Sequence, residues 1–234
     1  MRKRWPAYLA ELLVIMTVIL AAFALENWGR ERARDRTVVT LLRSAIGELD
    51  ADLEDVAFNV RVHEQAIRSM DVVLAHLGTD APYHDSPATH FHDALDMPRF
   101  VHSTGAFESI QAAGLDIIRN DDLRLALLRL DGANCVNDRG AEEEHAAEIV
   151  HGLRDIMPTR FVEGVEYDRI GQSYDGTMVP LDYTALARDR EFRYYLRTLR
   201  NRTDALVRFH DRNLGREIAA VRELVQAELR ARGG

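Results

Sequence analysis

Cysteine is almost absent from this chain of 234 residues. The lone Cys135 has no intramolecular partner, so no disulfide staples the fold and stability has to come from packing. No cysteine follows the N-terminal apolar run either, which excludes a lipoprotein anchor. Lysine is equally scarce: Lys3 stands alone, and every other basic residue is arginine. Positive charge is in deficit, with a formal net charge of −8. Arg2, Lys3 and Arg4 all precede the apolar run, so the remainder is more acidic still. Such a chain lacks the positive field that phosphate binding needs, and nucleic acid is not an expected partner.

The familiar catalytic signatures are missing as well. There is no glycine-rich phosphate loop and no Gly-Lys-Ser/Thr. Ser173 sits in Gly-x-Ser-x-Asp, not the Gly-x-Ser-x-Gly of a nucleophile elbow. His63-Glu64 opens like a zinc-protease helix, but Ile67 stands where the second histidine is required. No catalytic residue, cofactor or metal is therefore expected.

What the chain does have is a long apolar run at residues 7–25, in which Glu11 is the only charge, bracketed by Trp5 and Trp28. The 23 steps between the tryptophans span about 34 Å as a helix, against about 30 Å for a bilayer core. Trp5, Tyr8 and Trp28 fall where amphipathic rings settle at the two interfaces, and Pro6 suits a first helical turn. We read residues 1–6 as a cytoplasmic tail, 7–28 as a transmembrane helix and 29–234 as an extracytoplasmic domain. The short basic tail argues for this orientation, because exporting it would oppose the membrane potential. Arg30, Arg32, Arg34 and Arg36 on the far side suit anionic headgroups.

A cleaved signal peptide competes with this reading: Arg2–Arg4 would be its basic region and Ala22-Phe23-Ala24 its cleavage site. Against it, Trp28 completes a second aromatic belt and the helical pattern runs on past the cut. Glu11 is the odd residue of the span. A carboxylate there marks either a contact with a partner helix or second copy, or an interfacial acid that reaches the headgroups.

Beyond Arg36 the apolar residues follow a 4-3 spacing: Leu42, Ile46, Leu49, Leu53, Val56, Val60, His63, Ile67, Met70, Leu74 and Leu77. This predicts a long helix of coiled-coil or bundle type, continuous with the span and closed by Gly78. Residues 79–104, with three prolines, read as a loop or a loop with a short helix. Helices are then expected at Gly105–Ala113, at 120–130 with Asn120 as cap, at 142–157 and at 189–231. Residues 159–183 are the least helical, and Val162, Val165, Tyr167 and Ile170 suggest a small hairpin. The expected fold is all-α: an N-terminal transmembrane helix running into a long helix, packed with a long C-terminal helix and shorter ones. Acidic residues crowd the first long helix (Glu48, Asp50, Asp52, Glu54, Asp55) and arginines the last (Arg193, Arg197, Arg200, Arg202, Arg208). Antiparallel packing would pair them, or each set forms its own solvated face, and would return Arg230 and Arg232 towards the headgroups.

Two stretches carry a family resemblance. One is Glu11-Leu-Leu-Val … Leu20-Ala21 … Asn27-Trp28 with its arginine-rich continuation. The other runs Ser103-Thr-Gly-Ala-Phe-Glu-Ser-Ile-Gln-Ala-Ala-Gly-Leu-Asp-Ile-Ile-Arg-Asn-Asp-Asp-Leu-Arg124. It resembles the Thr-x-Ala-aromatic-Glu … Gly-Leu … Ile-x-Asn-Asp-x-Leu-Arg signature of a family of bacterial single-span membrane proteins of unknown function. The resemblance implies a membrane-anchored, mainly helical protein and no reaction.

Within that second stretch, Thr104, Glu108, Asn120 and Arg124 make either a ligand or partner surface or a purely structural set. In the structural version Thr104 and Asn120 are caps, Gly114 makes a left-handed turn, and Arg124 bonds a carboxylate such as Glu108. His84, His90, His92 and His102, with Asp85 and Asp93, have zinc-ligand chemistry but the spacing of an ordinary loop. Glu142-x-x-His145 and Glu148-x-x-His151 repeat the step of di-iron bundles, but both lie on one helix, where an acidic solvated face is the expectation. The functional expectation is a membrane-anchored scaffold or interaction protein. Its partners are the lipid bilayer and a second copy or another membrane protein. A ligand-sensing domain signalling through a membrane partner is the alternative, and a metal-dependent hydrolase built on the loop histidines is the third.

Overall fold

The computed structural model describes residues 5–79, 88–162 and 178–233. Its largest element, α1, is one unbroken helix of 73 residues, Trp5–Leu77, about 110 Å long. The shorter elements are α2 (Ala88–Asp93), α3 (Gly105–Ala113), α4 (Asp121–Arg129), α5 (Cys135–His151), α6 (Tyr183–Arg188), α7 (Arg190–Phe209) and α8 (Gly215–Ala231). The described chain is all-α, as its periodicity predicts.

Three rods make the bundle: α1, α4 with α5, and α7 with α8. Helices α4 and α5 are joined by a π-turn at Leu130–Asn134, and α7 and α8 by another at His210–Leu214. The helices expected at 120–130 and 142–157 are therefore one rod, because the π-turn absorbs an extra residue where a break was expected. The same device interrupts the helix expected at 189–231. The α7–α8 rod runs antiparallel to α1, as ion pairs along its length record. Arg232 meets Asp35 at 2.8 Å, Arg222 meets Asp50 at 2.5 Å and Arg200 meets Asp71 at 3.0 Å.

That register corrects the expected pairing of charges. Residues 48–55 lie opposite the start of α8, not opposite 193–208, so no described ion pair joins the two sets named above. The acids of α1 do something else. Backbone N–H groups of the segment between α2 and α3 donate to two of them, Val101 to Asp55 at 2.8 Å and Ser103 to Asp52 at 3.0 Å, and Ala106 in the first turn of α3 donates to Glu48 at 2.9 Å. Residues 48, 52 and 55 share one helical face, and a chain without secondary structure of its own is tied down along it. Arg232 is likewise held by Asp35 and the Ile117 carbonyl.

The buried seam of α1 runs Val38, Leu42, Ala45, Leu49, Asp52, Val56, Asn59, His63, Ala66, Met70, Val73 and Leu77, an alternation of four and three, with Ser69 buried beside it. Half of the expected stripe is in this seam. The other half (Ile46, Leu53, Val60, Ile67, Leu74) packs half-buried along its flank. Two apolar cores form around the seam. One, toward the N-terminal half of α1, joins Leu42, Leu49 and Val56 to Ile110, Leu123 and Ile218; the other joins Met70, Val73 and Leu77 to Phe91, Ile149 and Phe192.

Before Val38 no side chain from Glu11 onward is buried, and the apolar residues 12–25 are open along their whole length. The helix reaches a mean hydropathy of 1.9 over an 18-residue window, long and apolar enough to cross a membrane. Of the expected hairpin, Val165, Tyr167 and Ile170 lie outside the described residues. Val162 donates to the Val179 carbonyl at 2.9 Å, and Phe161 bridges Pro180 in antiparallel fashion.

Candidate functional site

Between the two apolar cores all three rods turn polar at the same level. Helix α1 contributes Asn59 and His63, α5 contributes Asp138, Glu142 and His145, and the α7–α8 rod contributes Thr203 and His210, all buried. Each stands in the seam of its helix. On α5 the inward positions run Cys135, Asp138, Glu142, His145, Ile149, steps of three and four. His210 opens the π-turn between α7 and α8, and such turns concentrate at functional sites because they re-aim a side chain within a helix. The expectation of a solvated acidic face over Glu142 and His145 is therefore corrected: both point inward. Glu148 and His151 remain more open, and His151 pairs with Asp155 at 2.7 Å.

The layer is incompletely satisfied. His145 Nε2 lies 2.8 Å from the Thr203 hydroxyl, which donates to the Leu199 carbonyl at 2.9 Å. The hydroxyl proton being thus committed, His145 is the donor of that pair. Glu142 Oε1 accepts the Phe100 N–H at 2.8 Å. His63 is fully enclosed, its ring 5.2 Å from that of His145 and 5.9 Å from that of His210, and neither of its nitrogens has a hydrogen-bond partner among the described residues. His210 Nε2 approaches Asp138 Oδ1 to 2.8 Å and Glu142 Oε1 to 3.6 Å, yet the contact with Asp138 lacks hydrogen-bond geometry and leaves both atoms unpartnered.

Burial disfavours charge on His63, Glu142 and His145. It pulls His63 down to about 3, helped by His145 and His210, and His145 down to about 4, helped by Arg202 and His210. Both imidazoles are neutral at physiological pH. Burial pushes the Glu142 carboxyl up to about 7 against the Phe100 hydrogen bond, with Asp138 adding to the rise. Ligand atoms of Asp138, Glu142 and His210 all lie within 4.8 Å of one another.

The residues singled out from sequence fare differently. Glu11 is exposed on the apolar stretch of α1. Thr104 occupies the residue before α3, but its hydroxyl donates to Glu108 Oε1 at 2.9 Å and caps nothing; Glu48 from α1 takes the helix amide instead. Asn120 does cap α4, accepting the Leu123 N–H at 3.1 Å. Gly114 has a φ of 91°, the left-handed region that favours glycine. Arg124 bonds the Ile118 carbonyl at 2.9 Å and pairs with Asp121, not with Glu108, because a carboxylate one turn away on its own helix is nearer. No hydrogen bond or ion pair joins Thr104 and Glu108 to Asn120 and Arg124 among the described residues. Asn120 and Gly114 play the structural parts expected of them, whereas Thr104 and Arg124 take other local partners than the expected ones.

The loop histidines do not converge. His90 meets the Ser69 hydroxyl at 3.1 Å, His92 lies 3.6 Å from Asp93, and His102 meets Asp52 at 2.6 Å; His84 and Asp85 fall outside the described residues. At the foot of the bundle an open groove is lined by Arg32, Asp35, Arg36, Val39, Thr40 and Arg43, with Arg232 beside it. Arg32 also stacks over Trp28 at 3.9 Å. Comparison of the chain with family models, with curated proteins and with solved structures finds no match.

Proposed function

We propose that this chain is a single-pass protein of the bacterial inner membrane. Residues 1–6 lie in the cytoplasm, residues 7–28 cross the bilayer, and residues 29–234 stand in the periplasm. The bundle serves there as a scaffold or interaction module and catalyses no reaction. The observation that carries this reading is the continuity of α1. A fully open apolar stretch leads without a hinge into a seam whose first buried residue, Val38, comes ten positions after Trp28. At about 1.5 Å per residue the packed domain begins about 15 Å above the interfacial tryptophan. The arginines of the basal groove bridge that gap toward anionic headgroups. Any tilt or association of the spans is transmitted rigidly to the bundle. The resemblance of residues 103–124 to the single-span family fits the same reading.

Protease treatment of spheroplasts carrying a C-terminally tagged chain tests the topology: the tag is digested in spheroplasts and the chain stays in the pellet after carbonate washing. A tag protected until lysis overturns the orientation, and release by carbonate overturns the anchor. Crosslinking in native membranes, with and without Glu11→Leu, tests the scaffold role, and a chain monomeric and partner-free in both overturns it. A sensing domain that signals laterally through a membrane partner is the second reading, favoured by the polar layer that all three rods share.

A further inference from the structure

We propose that Asp138, Glu142 and His210 bind a divalent first-row transition-metal cation in the centre of the bundle, with His63 as the adjacent imidazole. The inference departs from the expectation that the chain carries no metal. It is independent of membrane topology, since the bundle holds the ion or fails to on either side of the bilayer.

The argument begins with cost. Asp138 is 1% exposed and neither carboxylate oxygen has a hydrogen-bond partner among the described residues; such a group loses its hydration and regains no hydrogen bond, although His210 Nε2 lies 2.8 Å away. A second carboxylate, Glu142, stands one turn along the same helix, its Oε1 3.6 Å from His210 Nε2. A divalent cation supplies what two carboxylates at this site lack. Geometry points the same way. His210 Nε2 and Asp138 Oδ1 are 2.8 Å apart without hydrogen-bonding, the spacing of neighbouring ligands at about 90° on one cation bound at about 2.0–2.2 Å; a tetrahedral ion would draw them apart to about 3.3–3.6 Å.

The donor set selects the metal. Imidazole with carboxylates suits zinc, manganese, iron or cobalt, whereas calcium and magnesium take oxygen ligands and copper(I) prefers sulfur. The Phe100 N–H on Glu142 Oε1 orients that ligand from outside the site, as outer-shell partners do in metalloproteins. His63, with two unpartnered nitrogens, completes or borders the coordination sphere. Three protein ligands on two rods then lock α5 to the α7–α8 junction between the two apolar cores.

The test uses the full chain in detergent micelles, purified without a histidine tag and stripped with chelator, then titrated separately with Zn²⁺, Mn²⁺, Fe²⁺ and Co²⁺. At least one of them is expected to bind at one equivalent and to raise the unfolding temperature by about 5–10 °C at a hundred-fold excess over Kd. Asp138→Asn and His210→Gln should each weaken binding a hundred-fold or more, while His90→Gln leaves it unchanged. X-ray absorption of the loaded wild-type chain needs no variant to fold, and should show a nitrogen and oxygen shell with imidazole scattering. Less than one-tenth equivalent of every metal overturns the proposal. So does undiminished binding by the Asp138→Asn/His210→Gln double variant, or a metal shell without imidazole.

Discussion

Asp52 offers the sharpest test of how the segment between α2 and α3 is held. It occupies a seam position of α1, is 1% exposed, and engages both its oxygens: Oδ2 with His102 Nδ1 at 2.6 Å, Oδ1 with the Ser103 N–H at 3.0 Å. Burial alone pulls the His102 pKa down, but the hydrogen bonds to Asp52 and Cys135 outweigh it and push it up to about 10. His102 is therefore protonated at neutral pH. Asp52→Asn keeps an acceptor for Ser103 and removes the charge, so the cost lies near the low end of the 3–5 kcal/mol typical for breaking a buried pair, about 3 kcal/mol. At about 2–4 °C per kcal/mol for a domain of this size, the unfolding temperature falls by about 6–12 °C. The pH dependence has a definite sign. A histidine raised from its ordinary 6.5 contributes its full stabilisation below that value and loses it as pH climbs through about 10. Circular dichroism melts of the full chain in detergent should show the gap between wild type and Asp52→Asn widest at pH 6.5 and narrowing by pH 9.5. A variant melting within 1 °C (about 0.4 kcal/mol) of wild type at pH 7, or a gap that is flat with pH, refutes the reasoning.

Other substitutions probe the packing and the anchor. A Cβ at Gly152 would sit 2.0 Å from the Tyr195 hydroxyl and 2.3 Å from its ring, and that ring is buried, so Gly152→Ala should cost about 2–3 kcal/mol in urea unfolding. Gly132 in the π-turn of the α4–α5 rod meets nothing within 4 Å, and Gly132→Ala should leave stability equal or slightly higher, by up to about 1 kcal/mol. Burial, with Asp93 adding to it, pushes the Asp96 carboxyl up to about 6, so the fold holds that proton more tightly than the unfolded chain and loses stability as pH rises from about 4 to 6; Asp96→Asn should flatten that part of the melting profile. Val18→Arg with Leu20→Arg adds about 3 kcal/mol each at mid-span and should move the chain out of the carbonate-resistant membrane fraction.

The sequence disclosed the rods and hid their junctions. Leu42, Leu49, Val56, Met70 and Leu77 are apolar at heptad spacing, so α1 was legible with its phase nearly right. What misled was the other limb of the seam, Ala45, Asp52, Asn59 and Ala66, because small and polar residues lose to Ile46, Leu53 and Val60 when hydrophobicity alone chooses the buried side. The π-turns were illegible for a similar reason. Leu130 to Cys135 is a step of five, and His210, Leu214 and Ile218 follow in two steps of four; each reads as an ending or a phase error until the partner rods show that the seam continues.

The same arithmetic explains why the candidate site was missed and what signal it left. Asp138, Glu142 and His145 continue the three-four alternation between Cys135 and Ile149, His63 does so on α1, and His210 keeps an inward position through the steps of four at its π-turn. A solvated face has no reason to keep the phase of the core on either side of it. When polar residues hold core phase at one level on three rods, replacing them with well-packed apolar residues would give equal or greater stability. Their presence there is a cost that packing alone does not explain, and the convergence of two carboxylates and an imidazole in that layer gives it a chemical reason.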